Sequence, residues 1–240
     1  METLTADSPS DLLRQLATID ITVPPRGPER TKDHCEQWSI CRLLSTFADS
    51  TLLHYPLRVD PDDRPDFLLS MRKVRIGVEV TEAVATDLAR ADVLQQNKDY
   101  DVARSFQRVL PADLPRSRKD IEKIAKGETR GTCWSGDSVE REWADVMTFF
   151  SLSKADRFAQ PGFRKYDLNW LLIYDHWELP MLDEEKAAVF FQLQLLALEP
   201  PLPFDIIFVE CNKNIWQFSI PQHSSRPIND IWSNGACAAQ

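Results

Sequence analysis

From Val74 to Thr81 apolar and polar residues alternate one by one. Val74, Ile76, Val78 and Val80 interleave with Arg75, Gly77, Glu79 and Thr81, the period of a half-buried strand. Phe67-Leu68-Leu69-Ser70 precedes it, so the two runs predict a hairpin with its tip at Arg72-Lys73. That tip pairs Phe67 with Val78 and Leu69 with Ile76, although it lacks the Asn-Gly or Asp-Gly of a two-residue turn. Elsewhere the period is helical. Glu36, Ile40, Leu43, Leu44 and Phe47 form one stripe of a helix starting near Lys32, with Glu36 on its inward side. Trp143, Met147, Phe150 and Lys154 form another, on a helix opened by a capping box at Asp137 and Glu140. Lys154 therefore extends a buried stripe, where a lysine needs a partner or must reach out to solvent.

Continuous apolar runs at Trp170–Tyr174 and Phe204–Val209 read as strands covered on both faces. A helix capped by Asp183 and stopped near Leu198 by Pro200, Pro201 and Pro203 joins them, which makes the two strands parallel. Leu52–Val59 reads as a strand, Asp11–Ile19 as a short helix and Ile215–Ile220 as a final strand. Residues 1–30, with proline-rich Val23–Glu29, read as an arm or linker, and 221–240 as a C-terminal tail. Between them, 31–220 forms one domain carrying a largely helical insertion at about 82–131.

The hairpin register also sets Asp66 opposite Glu79. Like charges directly opposed are destabilising, so a cation between them is expected. A hard ion that takes carboxylate oxygens, such as Mg²⁺, suits the pair.

Composition narrows the classes. A 240-residue chain with 43% hydrophobic residues can bury a substantial core. No apolar run is long enough to span a membrane, and the N-terminus lacks the pattern of a signal peptide. Cys35, Cys41, Cys133, Cys211 and Cys237 form neither a CxxC nor a zinc-ligand spacing, which fits reduced thiols in a cytoplasm. The net charge of −9 is the wrong sign overall for nucleic acid. Locally, eight Lys/Arg against five acids between Asp101 and Gly131 give a basic excess. There is no P-loop, dinucleotide fingerprint or HExxH. The glycine-flanked Gly131–Gly136 lacks the strand-turn-helix setting of a nucleophile loop. His34 faces away from Glu36 along its helix, and Glu82, on the opposite strand face from Thr81, reads as a salt-bridge partner.

Pro65-Asp66, Gly77-Val78-Glu79-Val80-Thr81, helix-borne Glu36 and the αβββαβ order of elements resemble the PD-(D/E)XK nuclease superfamily. The resemblance covers roughly 32–210 without the insertion. It implies a restriction-endonuclease-like α/β fold, a mixed central sheet flanked by helices. It also implies a Mg²⁺-dependent (or Mn²⁺-dependent) nuclease, a hydrolase of phosphodiesters in DNA or RNA. Asp66 and Glu79 would be the metal ligands, the Val80 carbonyl would complete the coordination, and Glu36 would be an additional acid near the metal. The family's lysine, two residues after the glutamate, is Thr81 here. Either Lys154 supplies the ammonium from another element, making the catalytic set Glu36, Asp66, Glu79 and Lys154, or the fold persists as an inert module binding nucleic acid or a protein. Retention of the acids favours relocation. Dimers are frequent in that family, but no heptad repeat supports a homodimer in this sequence.

Overall fold

The computed structural model describes residues 1–232, so Cys237 and the end of the expected tail lie outside the described residues. The elements are β1 (Leu4–Ala6), α1 (Pro9–Leu16), α2 (Lys32–Phe47), β2 (Leu57–Pro61), β3 (Phe67–Met71), β4 (Val74–Val84), α3 (Thr86–Lys98) and α4 (Arg118–Ala125). They continue with α5 (Ser138–Phe158), β5 (Leu168–His176), α6 (Glu184–Ala197), β6 (Ile206–Cys211), β7 (Asn214–Ser219) and β8 (Gln222–Pro227). The chain is an α/β protein with one open mixed sheet of eight strands, ordered β1 to β8 as in the sequence. β4, β5 and β6 run parallel and every other neighbouring pair is antiparallel.

Alternation along the central strands sorts the core into two layers. Val78, Val80, Trp170, Leu172 and Phe208 point to the side of α1 and α2. Leu171, Ile173, Ile207 and Val209 point to the side of α3 to α6. The β3–β4 register is the expected one, Phe67 opposite Val78 and Leu69 opposite Ile76. The tip closes at Arg72-Lys73 because Arg72 takes a φ of +47°, supplying the left-handed turn residue that Gly or Asn usually provides.

Five expectations need correction. Residues 1–30 do not stand off as an arm: β1 pairs with β2, and Leu12 and Leu16 of α1 are fully buried. The strand expected at Leu52–Val59 begins only at Leu57, since Pro56 has no N–H to give the ladder. The insertion is only partly helical. β4 runs on to Val84, and irregular chain separates α3 from α4 and follows α4. At Asp137 (φ −92°, ψ 21°) the backbone is not extended as a capping residue requires, so no capping box forms. The Asp137 carboxylate pairs instead with Arg141, while Glu140 turns inward toward the Asp183 N–H. Finally, Gln222–Pro227 forms β8 on β7, and Ile231 and Trp232 pack on the core. The Asp183 cap forms as expected, accepting from the Lys186 N–H.

Candidate active site and its basic cavity

The site lies where β3 leaves β4. β3 begins at Phe67, opposite Val78, so β4 beyond that point is paired only with β5. The Val80 N–H on the vacated edge donates to Asp66 Oδ2 at 2.7 Å. Pro65, which precedes that carboxylate, packs closely against Gly77. A Cβ at residue 77 would stand 2.8 Å from Pro65 Cγ and 2.8 Å from Tyr166 Cδ2. The glycine of the Gly77–Thr81 run is therefore demanded by close approach rather than by a turn.

Asp66, Glu79 and Lys154 are all buried, at 4%, 7% and 5% exposure. Lys154, in the last turns of α5, donates from Nζ to Glu79 Oε1 at 2.6 Å and to the Val80 carbonyl at 2.7 Å. From the other side of the sheet, Lys32 in the first turn of α2 donates to Asp66 Oδ1 at 2.7 Å and pairs with Glu36. The four sequence-predicted residues, Glu36, Asp66, Glu79 and Lys154, thus meet in one network together with the Val80 carbonyl. Lys32 is the member that sequence reasoning missed. Its spacing of four from Glu36 on a helix was the available signal. His34 turns back to cap its own helix at Thr31, away from the site.

Burial pushes the Glu36 carboxyl up to about 7, with repulsion from Asp66 adding to it and Lys32 opposing it. Burial likewise lifts Glu79, against the pull of Lys154. Lys32 sits above its usual range because Asp66 and Glu36 together outweigh its partial burial.

A cavity of about 920 Å³ opens against this network, with Lys32, Glu36, Val80, Thr81 and Lys154 in its wall. Arg26, Arg30, Arg90, Arg116, Arg118 and Arg157 also line it, so eight cationic residues face two acids, Glu36 and Glu82. The whole chain has the opposite balance, 28 Lys/Arg against 37 Asp/Glu. Arg116 and Arg118 come from the basic stretch of the insertion, whereas Arg26 comes from the proline-rich segment and Arg30 directly follows it, where the sequence gave no such signal. Glu82 is the salt-bridge partner expected of it. Its Oε1 lies 2.7 Å from Arg26, 2.8 Å from Arg30 and 3.1 Å from His176 Nδ1. Although burial raises Glu82, the His176 hydrogen bond and the charges of Arg26 and Arg30 hold it down at about 2.

No family model, curated protein or solved structure matches the chain.

Among the described residues, no group of three or more His, Cys, Asp and Glu side chains is arranged to hold a metal ion. Mg²⁺ asks for less, one or two carboxylates with waters and substrate phosphate making up the rest. Asp66, Glu79 and the Val80 carbonyl are hard oxygen donors of the right chemistry, and the Lys32 ammonium on Asp66 Oδ1 shows that this oxygen takes a cation. No helix among the described residues is long and apolar enough to cross a membrane.

Proposed function

We propose that the protein is a Mg²⁺-dependent phosphodiester hydrolase acting on nucleic acid, built on a restriction-endonuclease-like core in which Lys154 replaces the lysine absent at Thr81. The observation that carries this reading is the Lys154 ammonium, buried against Glu79 Oε1 and the Val80 carbonyl. Thr81 projects from the same strand face as Glu79, so an ammonium arriving from α5 enters the neighbourhood that a lysine at position 81 would serve.

Asp66 and Glu79 are the side chains that would hold the ion, with the Val80 carbonyl beside them. When bound, the ion supplies polarisation of a phosphoryl oxygen and a lowered pKa for water. Lys154 contributes fixed positive charge toward the oxygen on which negative charge develops, and its burial strengthens that interaction. Lys32, whose side chain is 62% exposed, can release Asp66 and turn to a substrate phosphate. The cavity arginines hold the phosphate backbone against the acidic balance of the rest of the molecule.

A second reading, an inert nuclease-fold module that binds nucleic acid or a protein, draws on one observation. Asp66 and Glu79 each already have an ammonium partner, in Lys32 and Lys154. Cleavage of plasmid and single-stranded RNA in Mg²⁺ or Mn²⁺ decides between them, with Glu79→Ala as the control. The hydrolase reading requires wild-type cleavage that disappears in the control. Absence of cleavage in the wild type leaves the binding reading, and equal activity in both proteins reveals a contaminant.

A further inference from the structure

The arginines of the cavity are poorly matched by acids, and its walls are apolar. Arg26 and Arg30, at 15% and 13% side-chain exposure, share a single oxygen of Glu82 with His176. Two guanidinium groups on one carboxylate leave a net positive charge in a largely buried place, which is costly without a further anion. Arg116 adds to the excess, since its Nη1 is buried without a hydrogen-bond partner among the described residues. Between these charges the wall is formed by Val84, Val93, Leu94, Ile121 and Tyr174.

Phosphate would neutralise the guanidinium groups, but phosphate alone leaves the apolar wall unused. A duplex turns its phosphates and sugars outward and hides the faces of its bases, so it too has nothing apolar to offer this wall. An unpaired nucleotide presents both groups at once, and single-strand sites combine a positive groove with platforms for bases. The volume, about 920 Å³, falls within the roughly 300–1,000 Å³ of pockets that enclose small ligands, far from a trough for a double helix. Lys154 and Glu36 lie in the same wall, while Glu79 lines a smaller neighbouring cavity that shares Arg157, so a strand seated here reaches the proposed hydrolytic centre at its Lys154 edge.

We propose that this cavity binds single-stranded nucleic acid, its phosphates on Arg26, Arg30 and Arg116 and an unstacked base against the wall of Val93 and Leu94. The proposal rests on the phosphodiesterase reading for the adjacency of the strand to Lys154, but strand binding is measurable without any cleavage. Fluorescence anisotropy in EDTA, using the full chain with labelled oligothymidylate and a blunt duplex of equal length, provides the test. The single strand should bind at least about tenfold more tightly. Arg26→Gln/Arg30→Gln should remove that preference and flatten the salt dependence by about 1.4 in log–log slope, roughly 0.7 for each phosphate no longer neutralised.

Because Glu82 loses its partners in that double variant, Arg116→Gln and Val93→Glu serve as independent probes, with circular dichroism checking that each folds. Arg116→Gln should weaken strand binding by about tenfold, and Val93→Glu should abolish the strand preference. Equal or tighter duplex binding overturns the proposal, as does strand binding unchanged in folded Arg116→Gln and Val93→Glu. Displacement by AMP at the same nucleotide concentration also overturns it, assigning the cavity to a mononucleotide. Selective strand binding with no cleavage in Mg²⁺ supports the cavity assignment and removes only the hydrolase reading. Cleavage restricted to duplex does the reverse.

Discussion

Lys154 Nζ lies 2.6 Å from Glu79 Oε1, across 75 residues of sequence, and both side chains are almost fully out of water. A buried pair of this kind ties α5 to β4 at the point where β3 has already left the sheet.

Lys154→Met should therefore have two effects. Leaving Glu79 buried without its ammonium is expected to cost about 3–5 kcal/mol of stability, the usual penalty for breaking a buried pair, read by urea denaturation. Cleavage in Mg²⁺ should disappear as well. The double variant Lys154→Met/Glu79→Gln removes both charges and should regain much of the stability without regaining activity. Recovery of cleavage in that protein would rule Lys154 out as the relocated ammonium.

Lys32 competes with any cation for Asp66. Lys32→Ala should tighten Mg²⁺ binding by about 5- to 30-fold in calorimetry, since two ion pairs of at most about 1 kcal/mol each no longer have to be broken. Glu79→Ala should remove the heat of binding. Unchanged Mg²⁺ uptake in Glu79→Ala would take the metal away from this site.

Gly77→Ala pushes a methyl into Pro65 and Tyr166 at 2.8 Å. Neither ring is the free end of a flexible chain, so the strand or the Pro65-Asp66 segment must shift. A destabilisation of about 1–3 kcal/mol is expected, the range for overpacking, with a fall in cleavage beyond what the reduced stability accounts for. Normal activity in a folded Gly77→Ala protein would mean that the aim of Asp66 does not depend on the packing of Pro65 on Gly77.

Glu210 in β6 accepts from Arg42 Nε at 2.6 Å and from Trp38 Nε1 at 3.2 Å, and burial raises its carboxyl despite Arg42. These bonds fasten α2, which carries Lys32 and Glu36, to the centre of the sheet. Glu210→Ala should destabilise by about 1–3 kcal/mol, because Arg42 Nε and Trp38 Nε1 lose their buried acceptor while Arg42 keeps Asp230 at 3.3 Å. Thermal unfolding followed by circular dichroism checks this. A change below about 1 kcal/mol would show that the pair is not what holds α2.

Parts of this architecture were legible from the chain because their information is local. Alternation from Val74 to Val80 fixed one face of β4, and a tip at Arg72-Lys73 gives the observed register, but those tip residues carry no turn signal that excludes a longer loop and a slid register. The inward position of Glu36 and of Lys154 followed from helical periodicity in the same way. By contrast, β1 is three residues long and β8 reads Gln-His-Ser-Ser-Arg-Pro, too short or too polar for a period to register. Both exist because a neighbouring strand offers unpaired backbone groups. Asp137 and Glu140 had the spacing of a capping box, but Glu140 was drawn inward toward Asp183, a partner distant in sequence.

The sequence by itself determined which residues face inward along β4, α2 and α5, and it brought Asp66 to the end of β3 beside the stretch of β4 that holds Glu79, although the ladder stops one residue short of pairing the two. Tertiary structure alone decided that Lys154 meets Glu79, that Lys32 crosses to Asp66, and that arginines from a proline-rich segment and from an irregular insertion converge on one cavity. The physical reason is range. Periodicity is set by backbone geometry over a few residues, whereas an ion pair between elements depends on how the helices pack on the sheet, which no short window of sequence records.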